Sequence, residues 1–187
     1  MSKETAPAAI VTFERFREDE AEELVTLLSG NAWPFQVSSS PTPEKVRAWI
    51  AEGIFSGDAQ ELHWVVAPGG ERVGALHLEE LDEPTATTDF RLRVDMRGRG
   101  YGRAMARFAA DHVFSAHPSV VRVDVKTRVD NVAMRRVMAA SPGWVLEAYY
   151  RRSWPDAAGT YHDSVGYAIL RDDWATGAVT PVTSPDE

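Results

Sequence analysis

The segment 89–103, DFRLRVDMRGRGYGR, constrains the fold of this chain more than any other. Phe90, Leu92 and Val94 are apolar, and Arg91, Arg93 and Asp95 stand between them. That alternation predicts a strand with two unlike faces, running over about residues 86–95. Gly98, Gly100 and Gly102 follow, interleaved with Arg97, Arg99, Tyr101 and Arg103. From Tyr101 the period changes, and Met105, Phe108, Ala109 and Val113 recur at helical steps to about residue 114. The segment therefore reads as strand, glycine loop and helix N-terminus.

Such a loop has a defined chemistry. The first amides of a helix have no partner within the helix, and the positive end of its dipole lies behind them. Glycine lets the chain turn tightly and removes the Cβ that would hold a ligand away. Together these make an anion site, and phosphate is its usual occupant. Arg97, Arg99 and Arg103 add charge and forked donors. A plain strand-to-helix turn would need one glycine, not three among arginines. The loop lacks the Gly-Lys-Ser/Thr ending of a Walker loop. It also departs from the dinucleotide fingerprint, because Arg103 stands where the third glycine belongs.

Arg97-x-x-Gly100-x-Gly102, following Val94-Asp95, resembles the pyrophosphate loop of the GNAT superfamily of acetyl-CoA-dependent N-acetyltransferases. Other matches extend the likeness. Asn131 with Ala133 resembles the family's Asn-x-Ala element, and Gly143-Trp144 its Gly-Phe. The run 162–167 followed by Asp173-Trp174 is similar to the terminal signature of the branch that acetylates ribosomal-protein N-termini.

The order of elements agrees. Residues 10–13 predict a first strand, and two amphipathic helices follow at 18–29 and beyond Thr42, which is placed to cap the second. Strands at 62–67, 72–80 and 86–95 are separated by the turns Pro68-Gly69-Gly70 and Asp82-Glu83-Pro84, predicting an antiparallel meander. After the glycine-loop helix come a strand at 120–126, a short helix capped by Asp130 or Asn131, and strands at 144–154 and 164–170. The resemblance thus implies an α/β (α+β) GNAT fold: a mixed, mostly antiparallel sheet of about seven strands flanked by about four helices. Residues 10–175 form the expected acetyltransferase domain, with flexible ends at 1–9 and 176–187. Trp33 and Phe35, in the loop between the first two helices, serve equally well as core or as pocket lining.

By the resemblance, the strands that end near Val94 and Lys126 splay apart and take the pantetheine arm of acetyl-CoA between them. Leu92 and Val94 would pair with that arm, and the Leu92 N–H would polarise the acetyl carbonyl. The backbone of Arg97, Gly98, Arg99, Gly100, Tyr101, Gly102 and Arg103 would hold the pyrophosphate. Asn131 would bond the cofactor arm, or simply cap a helix. Glu79 and Asp89 are candidate general bases. The family's usual acid positions hold Met134 and Met138 here, so Tyr149, Tyr150 or Tyr161 is the candidate acid, unless the thiolate leaves unaided.

Composition narrows the partners. A net charge of −8 argues against nucleic acid and suits a cationic amine, with Glu79, Glu80, Asp82 and Glu83 close together. There is no cysteine, which removes disulfides and thiolate chemistry. Histidines at 63, 77, 112, 117 and 162 form no metal-ligand spacing and read as structural or surface residues, so no metal is expected. No apolar run is long enough for a membrane span, and residues 1–9 lack the pattern of a secretory signal, so the cytoplasm is expected. The expected activity is acetyl transfer from acetyl-CoA to a primary amine, of a peptide N-terminus or a small molecule, by direct attack, and the expected assembly is a homodimer. Two alternatives stand beside it: a non-catalytic acyl-CoA-binding module, and a Rossmann-type nucleotide enzyme.

Overall fold

The computed structural model describes residues 11–183. The expected loose N-terminus at 1–9 lies outside that range. Seven strands form one sheet in the order β1-β2-β3-β4-β5-β7-β6. They are β1 (Thr12–Arg15), β2 (Glu61–Val66), β3 (Arg72–Glu79), β4 (Thr85–Leu92), β5 (Arg122–Arg128), β6 (Val145–Pro155) and β7 (Tyr161–Leu170). The helices are α1 (Ala21–Ser29), α2 (Pro43–Ala51), α3 (Tyr101–Ala116), α4 (Val132–Ala139) and α5 (Arg171–Thr176). Every neighbouring pair is antiparallel except β4 and β5, which run parallel. This is the mixed sheet that the sequence predicted, with one more helix.

Local rules explain most boundaries. The Thr42 hydroxyl accepts from the Lys45 N–H at 3.3 Å and caps α2, with Pro43 in its first turn. The Asn131 Oδ1 accepts from the Met134 N–H at 3.2 Å and caps α4. β4 stops at Leu92, short of the expected Asp95, because Val94–Met96 winds into a 3-10 turn.

The sheet separates two cores. On one face Val65, Val73, Leu76, Leu78, Ala86, Val123 and Val125 pack against the apolar stripe of α3, including Met105, Ala109 and Val113. On the other, Leu62, Trp64, Val66 and Ala75 pack against α1 and α2 through Leu24, Leu28 and Val46. β2 shows the period of two directly: Trp64 faces α1 and α2, and Val65 faces α3.

The terminal signature residues turn out to be framework. Tyr167 is buried in the α3-side core, and Trp174 donates its Nε1–H to Asp111 of α3 at 2.8 Å. Asp173 accepts from the N–H and hydroxyl of Thr180, so the segment after α5, expected to be loose, is tied down at its start.

Candidate active site

The site begins where the sheet opens. β4 and β5 pair only through Thr85, Ala86 and Thr87 with Arg122, Val123 and Asp124. Beyond that vertex the strands diverge, β4 to Leu92 and β5 to Arg128. Register says which backbone groups face the gap. The Arg93 N–H donates to the Val73 carbonyl at 3.0 Å, so odd-numbered β4 residues bond toward β3. The amides of Phe90 and Leu92 therefore point the other way, into the gap. An extended ligand can pair there as a strand would.

The glycine loop closes one end of this gap, and its glycines serve different purposes. Gly98 and Gly100 have φ of +76° and +85°, and a Cβ at either would meet nothing within 4 Å. They combine a left-handed backbone with open space in front of the loop. Gly102 instead lies against α4, where a Cβ would come within 2.8 Å of a Val137 methyl. It lets α3 and α4 approach closely. The first intrahelical bonds of α3 run from the amides of Arg103 and Ala104 to the Gly100 carbonyl. The amides of Tyr101 and Gly102 precede them and are free for an anion. Arg97 Nε bonds the Leu92 carbonyl at 3.2 Å, and an Arg99 Nη bonds the Asp95 carbonyl at 3.3 Å. Both guanidiniums are thus held beside the loop. Val94 sits in the 3-10 turn and is 60% exposed.

A cleft of about 490 Å³ connects these parts. Phe90, Leu92, Arg97, Gly98, Gly100, Gly102 and Arg103 line one side. Asn131, Ala133 and Met134 line the α4 side, and Trp33, Pro34, Phe35 and Gln36 the far end. Trp33 resolves its two readings by serving both. It is 3% exposed with its indole N–H on the Leu28 carbonyl, and its ring still borders the cleft. Met134 borders the cleft, whereas Met138 is fully buried in the α3-side core, so that family acid position faces packing rather than ligand.

The opposite face of β4 carries carboxylates. Asp89 pairs in register with His77, and Thr87 with both Glu79 and Asp124. Asp89 is engaged by the Gln36 amide at 2.6 Å and by Arg91 Nε at 2.8 Å. Asp124 is paired with Arg122 at 2.6 Å, and burial pushes its carboxyl above the usual range. Glu79 has no Arg or Lys partner among the described residues; its nearest basic group is His77 at 3.6 Å. Burial, and then the anions of Asp89 and Glu80, raise its carboxyl above the ordinary 4.5. His77 is pushed down to about 4 by burial, so it is neutral at physiological pH and offers Glu79 no charge partner, leaving only the more distant attraction of Arg91.

The candidate acid stands elsewhere. Tyr149, on the outermost strand β6, is 60% exposed and donates its hydroxyl to Asp163 at 2.5 Å. Its surroundings are Tyr150, Arg151, Arg152 and Ser153, not the cleft. The bond to Asp163 raises its phenol above 10, which moves it further from acid work near neutrality. Tyr161 is likewise exposed, and Tyr150 lies under the Lys126 ammonium. Sequence reading missed Gln36, His77 and Asp124. The alternation of β5 could have flagged Asp124, since Val123 and Val125 flank it. Gln36 and His77 join the site only through tertiary contact.

A profile of the family described as acetyltransferase (GNAT) domain matches residues 11–141. No curated protein matches significantly. Among solved structures, the chain is similar to spermidine N-acetyltransferase from Vibrio cholerae in complex with CoA and spermine. The TM-score is 0.74 at 15% identity, covering 89% of this chain and 98% of that one. It is also similar to the dodecameric structure of that Vibrio cholerae enzyme, with TM-score 0.71, 15% identity, and 89% and 96% covered. With the profile spanning most of its length and the splayed strands and glycine loop in place, the chain belongs to the GNAT family and is an acetyl-CoA-dependent N-acetyltransferase.

Proposed function

We propose that the acceptor is a small amine with a second cationic nitrogen, of the polyamine class. The observation that carries this is Glu79, a half-buried carboxylate without an arginine or lysine partner, in register with the vertex of the splayed strands. Leu92 lies five residues beyond Thr87, about 17 Å along an extended strand. An amine at Leu92 is therefore out of direct reach of Glu79, and a distal ammonium of the same molecule is not. The Vibrio cholerae structure named for spermine and CoA agrees with this class.

In this reading the cofactor pyrophosphate rests on the amides of Tyr101 and Gly102 with Arg97, Arg99 and Arg103 around it. The pantetheine arm pairs with β4 across Leu92 and is held by Asn131. The amine lone pair attacks the thioester carbon, and the Leu92 N–H stabilises the oxyanion that develops. The carbon–sulfur bond breaks and CoA leaves as a thiolate, since no acid side chain borders the cleft at the family's usual positions. The amine proton passes to solvent water at the mouth of the cleft, and Glu79 stays an anion for the distal ammonium. The protein works in the cytoplasm, as a homodimer or larger assembly.

The test is a steady-state comparison of spermidine, a monoamine of similar length and a peptide N-terminus, all with acetyl-CoA. The polyamine should give the highest kcat/KM, by about tenfold or more over the monoamine, the equivalent of roughly 1.4 kcal/mol. Equal values for polyamine and monoamine, or a preference for the peptide, would overturn the assignment of acceptor.

A further inference from the structure

The far end of α3 carries a second constellation, remote in function from the glycine loop. Glu61 and His63 alternate on β2 and both face α3. His112 lies one turn before the end of α3, and His117 is the residue that ends the helix. The Nε2 atoms of His63 and His112 both approach Glu61 Oε2, at 2.9 and 2.7 Å. His117 Nε2 lies 3.3 Å from the other oxygen, Oε1. That nitrogen is buried and makes no hydrogen bond of acceptable geometry. Glu61 and His63 are almost wholly buried, while His112 and His117 keep one edge toward solvent.

We propose that Glu61, His63, His112 and His117 form a binding site for a divalent transition-metal ion of the zinc class. Three imidazoles and one carboxylate are a donor set suited to such ions and poorly suited to magnesium or calcium. One ligand atom from each of Glu61, His63 and His112 already lies within 4.8 Å of the others. A tetrahedral ion with bonds of about 2.0–2.1 Å spaces its ligand atoms by about 3.4 Å. The two Nε2–Oε2 separations need to open by only about 0.5–0.7 Å, within reach of small side-chain rotations. The ion would take the Nε2 atoms that His63 and His112 now turn to Glu61, and each neutral ring would then carry its one proton on Nδ1.

The surroundings fit a built site. Phe108 stacks on His112 and meets His63 edge-on, and Phe13 stacks on Phe108, forming an apolar wall. The C-terminal end of the α3 dipole favours a cation there. Arg15 touches Glu61 Oε1 at 3.1 Å, but its side chain is 58% exposed and free to turn outward. An ion at this place would fasten β2 to the end of α3 and so steady the helix whose other end holds the phosphate loop.

The test uses the full chain, treated with a chelator and titrated with Co²⁺ while visible absorption is read, then with Zn²⁺ in competition. The expected result is one equivalent bound, with the intense bands of a four-coordinate site, displaced by Zn²⁺. His112→Gln should weaken binding by about 100-fold and His117→Gln by about tenfold. Both rings reach the surface, and unchanged circular dichroism and CoA titration would show that the variants fold. His162→Gln, at a residue bonded to Asp156 outside the cluster, should bind as the parent does. Failure of the parent to bind one equivalent, or equal affinity in parent and His112→Gln, would overturn the proposal, leaving a histidine cluster that serves only to hydrogen-bond Glu61.

Discussion

The two faces of β4 are built in opposite ways. The side we assign to the cofactor is nearly contiguous: Leu92 through Arg103 supplies the strand edge, the loop and the helix amides. The side we propose for the acceptor is assembled from β3, β4, β5 and the loop after α1, with Glu79, Asp89, Asp124 and Gln36 drawn together. The cofactor side relies on backbone groups, which hold their direction whatever the side chains are. The acceptor side relies on side-chain charge, which neighbours can tune or cancel. A reaction whose donor is fixed and whose acceptor varies is suited to this division.

The largest effect should come from breaking the contiguous half. Gly100→Glu places an anion where a Cβ now meets only open space, in front of the free amides of α3. CoA affinity should fall by about 1000-fold or more, which corresponds to roughly 4 kcal/mol. The left-handed φ of +85° adds about 1 kcal/mol of folding strain, so Gly100→Ala serves as the control that carries the strain without the charge. Calorimetry with CoA checks it; retained affinity in Gly100→Glu would remove the loop from the cofactor site.

The second prediction addresses the assembled half. Glu79→Gln should raise KM for a polyamine about 10- to 100-fold and leave KM for acetyl-CoA unchanged. It should have little effect on a monoamine. The sign of the pH dependence follows from the raised carboxyl. The anchor is an anion only above its pKa, so polyamine KM should climb as pH falls through a value higher than the ordinary 4.5. The Gln variant should lack that limb. A fall in kcat for every amine, with KM unchanged, would instead make Glu79 the general base.

The contrast between the two halves also explains what the sequence could disclose. The glycine loop was legible because its turn depends on backbone conformation, and backbone conformation selects residue types locally. Even so, the single motif concealed two jobs: Gly98 and Gly100 take positive φ, and Gly102 admits α4. The order of strands was legible through periodicity. The pairing of Glu79 with its neutral neighbour His77 was not, because burial of that imidazole depends on Phe55 and the rest of the α2 side packing over it. The three histidines of the α3 terminus looked scattered for the same reason. His63 and His112 lie 49 residues apart in the chain and meet only because α3 crosses back over β2. Tyr149 was a candidate on residue type alone, and the edge position of β6 turned it to Asp163.

The smallest effect concerns Asn131, which stands where the two halves meet and has two uses to separate. Its Oδ1 caps α4 through the Met134 amide, and its Nδ2 donates to the Thr127 hydroxyl at 2.9 Å. Asn131→Ala removes both and should cost about 1 kcal/mol of stability, the ordinary worth of an N-cap. Asn131→Asp keeps an oxygen acceptor for the cap and loses the amide donor. If the side chain also holds the pantetheine arm, both variants should raise KM for acetyl-CoA by about three- to tenfold, although the Asp variant stays close to parental stability. If the residue is a cap alone, thermal unfolding should separate Ala from Asp while KM stays parental in Asp. The Asp variant therefore decides the matter: its stability reports the helix, its KM reports the cofactor, and only one of these is tied to the backbone half of the site.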